Sequence, residues 1–165
     1  KFLGSASHDL TWRLWDLDTQ SELLLQEGHC RPITCIRFHP DGSLAATGGV
    51  DCCSFVWDLR TGRSIGLLKG HVKQVLSIDF SPNGYHVATA SDDHTVRIWD
   101  LRKQSTCIYT IPAHNALVSS VRYEKNGGRF LVSSSFDKTI KVWDAKSFSA
   151  LRVLSGHENK IMSVD

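Results

Sequence analysis

Asp93-His94-Thr95-Val96-Arg97-Ile98-Trp99-Asp100 decides the fold, because its first aspartate and its Trp-Asp pair return at a fixed interval along the chain. The pair stands at Trp15-Asp16, Trp57-Asp58, Trp99-Asp100 and Trp143-Asp144, at intervals of 42, 42 and 44 residues. Asp9, Asp51, Asp93 and Asp137 each precede their tryptophan by six positions. Gly28-His29, Gly70-His71, Ala113-His114 and Gly156-His157 keep the same step, at 42, 43 and 43, with Ala113 the one substitution. Markers that stay in phase define an internal repeat, and a repeat of this length governs the whole fold. The constant offset from aspartate to tryptophan requires a turn and a strand of fixed geometry in every copy.

Between the markers the pattern is that of strands. After each Gly-His an apolar set falls at Ile33, Ile36, Phe38, then Val75, Ile78, Phe80, then Val118, Val121, Tyr123. Its spacing breaks strict alternation once, which predicts a bulge in this first strand. His39-Pro40-Asp41-Gly42, Ser81-Pro82-Asn83-Gly84 and Lys125-Asn126-Gly127-Gly128 read as turns, since proline presets φ and glycine after Asp or Asn tolerates positive φ. Second strands are predicted over Leu44 to Gly49, His86 to Ser91 and Phe130 to Ser135. Third strands end on the repeated tryptophan, and fourth strands cover Ser64 to Leu68, Cys107 to Ile111 and Ala150 to Leu154. Trp12 occupies the place of Val96 and Ile140, which predicts a core side chain rather than a binding one.

Four short strands in each repeat, with Gly-His and Trp-Asp, match the WD40 signature of one propeller blade. The expected fold is therefore all-β, a WD40-type β-propeller present as a partial ring of three complete blades and two partial ones. The chain enters at Phe2 within a second strand and stops at Asp165 within a first strand. Residues 1–165 thus read as part of a single WD-repeat domain truncated at both ends, since a propeller closes to remove its exposed edges.

Composition narrows the function classes. A formal charge of +2 on 165 residues is too mild for the concentrated basic face of a nucleic-acid binder. Apolar runs are only a few residues long, far below the roughly 20 that a membrane helix needs, so no membrane partner is expected. The start at Lys1 shows no secretory signal. Cys30, Cys35, Cys52, Cys53 and Cys107 form an odd set without a Cys-x-x-Cys pair, which fits reduced thiols and predicts neither disulfides nor a metal site. Cys52 and Cys53 would face opposite ways if both lay on a strand.

The repeated polar residues contain the histidine, serine and aspartate of a hydrolase triad. A triad would occur once, beside an oxyanion hole, whereas this set recurs in every complete repeat. The reading is therefore structural: a hydrogen-bonded chain through His71, Ser91, Asp93 and Trp99, and another through His114, Ser135, Asp137 and Trp143, which satisfies buried polar groups and locks the strands of a blade. Gly49 stands at the serine position of the His29, Asp51, Trp57 set, which predicts a missing hydroxyl link there. No catalytic residues and no cofactor are expected, and no phosphate-cradling loop or nucleophile elbow is present.

Several runs carry a closer resemblance: Trp12-Arg13-Leu14-Trp15-Asp16-Leu17, Thr47-Gly48-Gly49, Val56-Trp57-Asp58-Leu59-Arg60-Thr61-Gly62-Arg63, Phe80-Ser81-Pro82-Asn83-Gly84-Tyr85-His86 and Tyr109-Thr110-Ile111-Pro112-Ala113-His114. Together they resemble the WD-repeat subunit of the spliceosomal U4/U6 small nuclear ribonucleoprotein, the pre-mRNA processing factor 4 family. The resemblance implies a non-catalytic scaffold in pre-mRNA splicing, located in the nucleus. Its implied partners are a pre-mRNA processing factor 3 type protein and a cyclophilin-type prolyl isomerase, with U4/U6 snRNA contacted mostly indirectly.

Strands are consumed by blade packing, so binding falls to loops. Arg31, Lys73, Asn115 and Asn159 follow each Gly-His, and His8, Val50, Asp92 and Phe136 precede each turn aspartate, which places them on one rim. Arg31, Lys73, Phe136 and His8 are the candidate partner-binding residues, with Phe136 and Arg31 foremost because aromatic and arginine side chains dominate interface energies. An alternative comes from Trp57-Asp58-Leu59-Arg60 and Trp99-Asp100-Leu101-Arg102, which resemble the Trp-Asp-x-Arg signature of substrate receptors for cullin-type ubiquitin ligases.

Overall fold

The computed structural model describes residues 1–103 and 106–165. Among the described residues fifteen strands follow one another: β1 (Phe2–Ala6), β2 (Thr11–Asp16), β3 (Ser21–Glu27), β4 (Ile33–Phe38), β5 (Leu44–Gly49), β6 (Cys53–Asp58), β7 (Arg63–Lys69), β8 (Val75–Phe80), β9 (His86–Ser91), β10 (Thr95–Asp100), β11 (Thr106–Pro112), β12 (Val118–Tyr123), β13 (Phe130–Ser135), β14 (Thr139–Asp144) and β15 (Ala150–Ser155). They form four antiparallel sheets in simple meander order: β1-β2-β3, β4-β5-β6-β7, β8-β9-β10-β11 and β12-β13-β14-β15. These are three complete blades preceded by a three-stranded one. No helix among the described residues is long and apolar enough to cross a membrane.

The segment after β15 departs from the sequence reading. Ile161 is buried and its N–H donates to Ser135 O at 3.3 Å, the approach that Ile33 makes to Ser7 O at 3.1 Å. Yet no strand forms from Ile161 to Asp165. A strand is defined by its ladder, and residues 161–165 pair with none of the strands in the four sheets.

The predicted bulge is present in every first strand, where the register slips between Ile33 and Cys35, Val75 and Ser77, and Val118 and Ser120. A second slip, unseen in the sequence, falls just before each repeated tryptophan, between Leu14 and Trp15, Val56 and Trp57, Ile98 and Trp99, and Val142 and Trp143. There the fourth strand skips one residue, as at Tyr109 to Cys107 opposite Ile98 and Trp99.

The core lies between blades. One cluster joins Trp12 and Leu14 to Ile33, Ala45 and Trp57; a second joins Ala46, Val56 and Leu68 to Ile78, Phe80, Val87 and Trp99; a third joins Ala88, Ala90, Val96 and Ile98 to Val118, Val121, Leu131 and Trp143. Second strands sit at the middle of this stack, which explains alanine at 45, 46, 88 and 90, all fully buried. Trp12 is core as its position predicts, 1% exposed and edge-on to Trp57 at 5.7 Å between ring centroids. The fourth strands form the outer layer, where Leu23, Ile65, Ile108 and Leu151 are exposed.

The loops at the far end of the blades interlock as well. His39 Nε2 lies 3.0 Å from Gly84 O, and the Tyr109 and Phe148 rings stack at 5.3 Å. The three complete blades are thus held to one another at their turns as well as at their cores.

Candidate functional site

Each repeat aspartate sits in a tight turn between the second and third strands. The residue after it takes positive φ in all four copies: Leu10 at 75°, Cys52 at 64°, His94 at 69° and Lys138 at 69°. None is glycine, so each turn holds a side chain in a conformation it seldom adopts. The aspartate itself stabilises the bend. Asp93 Oδ1 accepts Thr95 N–H at 3.0 Å and the Thr95 hydroxyl at 2.6 Å, and Asp137 does the same with Thr139. This Asx geometry is the physical origin of the invariant offset to tryptophan. Cys52 lies in that turn and not on a strand, so it does not alternate with Cys53.

The other aspartate oxygen reaches across to the histidine loop. Asp93 Oδ2 lies 2.8 Å from His71 Nδ1 and accepts Val72 N–H at 3.2 Å; Asp137 and Asp51 repeat the pair with His114 and His29, both at 2.9 Å. The histidine then meets a hydroxyl, and here the structure corrects the sequence reading. The link is Thr89, 2.7 Å from His71 Nε2 and accepting Trp99 Nε1–H at 2.9 Å, not Ser91. In the next blade it is Ser133, at 2.8 Å from His114 and 2.9 Å from Trp143, not Ser135.

Register supplies the reason. Trp99 is paired with Val87 and Arg97 with Thr89, so the indole reaches Thr89 by one diagonal step along the same sheet face. Ser91 lies a further step away. Its hydroxyl instead accepts Asp93 N–H and donates to Lys73 O, each at 3.1 Å, and Ser135 accepts Asp137 N–H at 3.0 Å. Those serines stitch the rim turn. The consequence for Gly49 is also corrected: Thr47 links His29 at 2.9 Å to Trp57 at 2.8 Å, so that blade has its full network.

Gly70 and Ala113 show what the residue before the histidine must allow. A Cβ at Gly70 would stand 2.6 Å from Arg97 Nη1 and 3.2 Å from the Trp99 ring. In the next blade Lys141 replaces that arginine and turns its ammonium onto Ala113 O at 2.6 Å, which leaves room for a methyl group.

His29 and His114 are neutral in this network. Burial pushes the His29 and His114 pKa values below 6.5, with Asp51 and Asp137 opposing the shift. Burial also opposes ionisation of Asp137, but hydrogen bonds from Thr139, the Asn115 N–H and His114 outweigh it and hold its pKa at about 2. Neutral imidazole then donates Nδ1–H to the carboxylate and accepts from the hydroxyl. A histidine with a lowered folded pKa contributes fully above the unfolded value of about 6.5 and loses that contribution as pH falls below it. Unfolding midpoints should therefore hold from pH 8 to 7 and decline between pH 6.5 and 5. A midpoint that rises on acidification through that window contradicts the neutral assignment.

The network cannot act as a triad in any one blade. Its hydroxyl is buried beneath an indole and already bonded on two sides, so it is closed to substrate.

The candidate rim residues follow the same end of the blades. Val50 N–H donates to Pro32 O, Asp92 N–H to Gln74 O and Phe136 N–H to Leu117 O, so the two loops of each blade are joined there. Arg31 and His8 are exposed. Lys73 Nζ lies 3.7 Å from Asp92, and Phe136 is half-buried with the Lys160 ammonium 5.0 Å above its ring. Arg31 and Phe136 are brought to one rim but not into contact, with the third blade between them. At the opposite end, Asp100 holds Arg102 through two bonds of 3.1 and 2.9 Å, and the guanidinium lies 4.5 Å over Tyr85. Asp58 receives the Arg60 N–H at 2.9 Å. The Trp-Asp-Leu-Arg runs are thus turn caps, and the ubiquitin-ligase alternative is not favoured.

The WD domain, G-beta repeat model matches residues 20–58, 62–100 and 105–144. The chain belongs to the WD40 repeat family. Over its whole length it is 54% identical to U4/U6 small nuclear ribonucleoprotein PRP4 of Saccharomyces cerevisiae, of which it spans 36%. These WD40 repeats are therefore of PRP4 type. Shorter likenesses are 36% identity over 38% of the chain and 15% of a ribosome biogenesis protein WDR12 homolog of Trichoplax adhaerens, and 45% over 32% of the chain and 7% of the transcriptional corepressor LEUNIG_HOMOLOG of Arabidopsis thaliana.

Proposed function

We propose that these WD40 blades are an arc of a closed propeller that serves as a non-catalytic protein-binding scaffold of the U4/U6 small nuclear ribonucleoprotein, in the nucleus. The observation that carries this reading is the 54% identity to PRP4 over the whole chain. It extends well beyond the positions that any WD40 blade needs. The partners on this reading are a pre-mRNA processing factor 3 type protein and a cyclophilin-type prolyl isomerase, with U4/U6 snRNA reached mostly through them.

The rim bearing Arg31, Lys73, Phe136 and His8 is the surface assigned to them. The loops carrying Arg31, Lys73 and Phe136 are anchored by Asp51, Asp93 and Asp137, so docking there costs little ordering entropy. Affinity capture of the full-length protein from nuclear extract should recover U4 and U6 RNA with those partner proteins. Arg31→Glu combined with Phe136→Ala should reduce that recovery about tenfold or more, on the scale of two interface hot spots, with an unchanged unfolding midpoint. Undiminished recovery removes this rim from the interface. Recovery of a ubiquitin-ligase adaptor without U4 and U6 RNA overturns the splicing assignment itself.

A further inference from the structure

The first strands β4, β8 and β12 pack side by side along the inner edge of the arc, so residues at equivalent positions form layers. One layer alternates in charge: Arg37, Asp79, Arg122 and then Asp165. Arg37 Nε lies 4.0 Å from Asp79 Oδ1, and Arg122 Nε lies 3.5 Å from Asp165 Oδ1. The layer two residues earlier is small and polar: Cys35, Ser77, Ser120 and Ser163. Small side chains there leave a cavity of about 270 Å³, lined by these four together with Arg37 and Arg122 and by no carboxylate.

The arginine donors facing this space are not used up. The Arg37 side chain makes no hydrogen bond among the described residues and is 42% exposed. Arg122 donates from Nη1 to Ser77 Oγ at 3.0 Å and Val121 O at 2.7 Å, but its Nε is buried without a hydrogen-bond partner. Burial and the like charge of Arg37 both work against the Arg122 cation, with Asp79 and Asp165 opposing them. Lys125 adds a third cation beside the two carboxylates at the mouth, which leaves the inner edge net positive. Ser77 Oγ has its own acceptor, Val121 O, only at 3.5 Å.

We propose that this inner cavity is an oxyanion site that takes a phosphate group, free or as a monoester, between Arg37 and Arg122. Two guanidinium groups supply paired, charge-assisted donors to tetrahedral oxygens, and the Ser77 and Ser163 hydroxyls supply neutral ones. The volume lies below the roughly 300–1,000 Å³ of pockets for drug-sized ligands, which suits one phosphate with its waters. The site is independent of the scaffold role and of the outer rim.

The test titrates inorganic phosphate, and separately O-phosphoserine, into the full-length protein at constant ionic strength, followed by calorimetry and phosphorus NMR. Saturable binding is expected, weakened about tenfold or more in Arg37→Gln, which removes a charged donor without touching a hydrogen bond of the fold. Ser163→Leu, at an exposed position on the cavity wall, should abolish binding by filling the space. Binding of inorganic phosphate alone assigns the site to the free ion; binding of both assigns it to monoesters as well. Absence of saturable binding, or equal affinity in both variants and the parent protein, overturns the proposal.

Discussion

Thr89→Val is expected to cost the domain about 3 kcal/mol, because one hydroxyl serves two buried partners at once. Valine keeps the volume but leaves Trp99 Nε1–H and His71 Nε2 facing an apolar group, and neither is reached by water. A loss of that size lowers the unfolding midpoint by roughly 6–12 °C in a domain of this class. Ser91→Ala should cost about 1 kcal/mol, since the Asp93 N–H and Lys73 carbonyl it frees lie at the rim, where water can replace the hydroxyl. The comparison separates the two networks cleanly. If Ser91→Ala proves the more damaging change, the diagonal reach of the tryptophan is not what holds the blade.

Asp93→Ala should be the more severe change, at about 4 kcal/mol, on the scale of two hydrogen bonds to a charged acceptor at roughly 1.5–3 kcal/mol each. Its carboxylate takes four donors: Thr95 N–H, the Thr95 hydroxyl, Val72 N–H and His71 Nδ1–H. Without it the His94 turn loses the cap that offsets its positive φ, and the histidine loses the acceptor that sets its tautomer. Hydrogen exchange should accelerate at Val72 and Thr95 before the rest of the blade, because those amides lose their partner directly. The double variant with Thr89→Val should fall short of the sum of the two losses by 1 kcal/mol or more, estimated at about the coupling of residues that share a partner, here His71. Full additivity would show that threonine and aspartate act through separate contacts.

Much of this molecule was legible in one dimension. The second strands fall where the apolar runs place them, at Leu44–Gly49, His86–Ser91 and Phe130–Ser135, and the first-strand bulge is visible in the spacing of Val75, Ile78 and Phe80. The second slip before each tryptophan was not legible, since it depends on which residue of the fourth strand faces it. The roles of Ser91 and Ser135 were not legible for a similar reason. Ser91 and Thr89 alternate identically on the same face, and only the register of β9 against β10 tells which one the indole reaches. Sequence showed that Gly-His tolerates Ala113 but not why; the answer lies at position 141, where a lysine bonds Ala113 O in place of the arginine that crowds Gly70.

What the sequence determined by itself is the repeat. Four Trp-Asp pairs in phase with Gly-His require four-stranded units, because periodicity needs no knowledge of which residues meet. Tertiary structure decided everything that depends on meeting. It chose Thr89 over Ser91, set Arg31 and Phe136 on one rim a blade apart, and stacked Arg37, Asp79, Arg122 and Asp165 around an inner cavity. Those residues are more than 40 positions apart in sequence. Contacts across that separation arise only when blades pack, and it is the packing of apolar faces between sheets that brings them within a few ångströms.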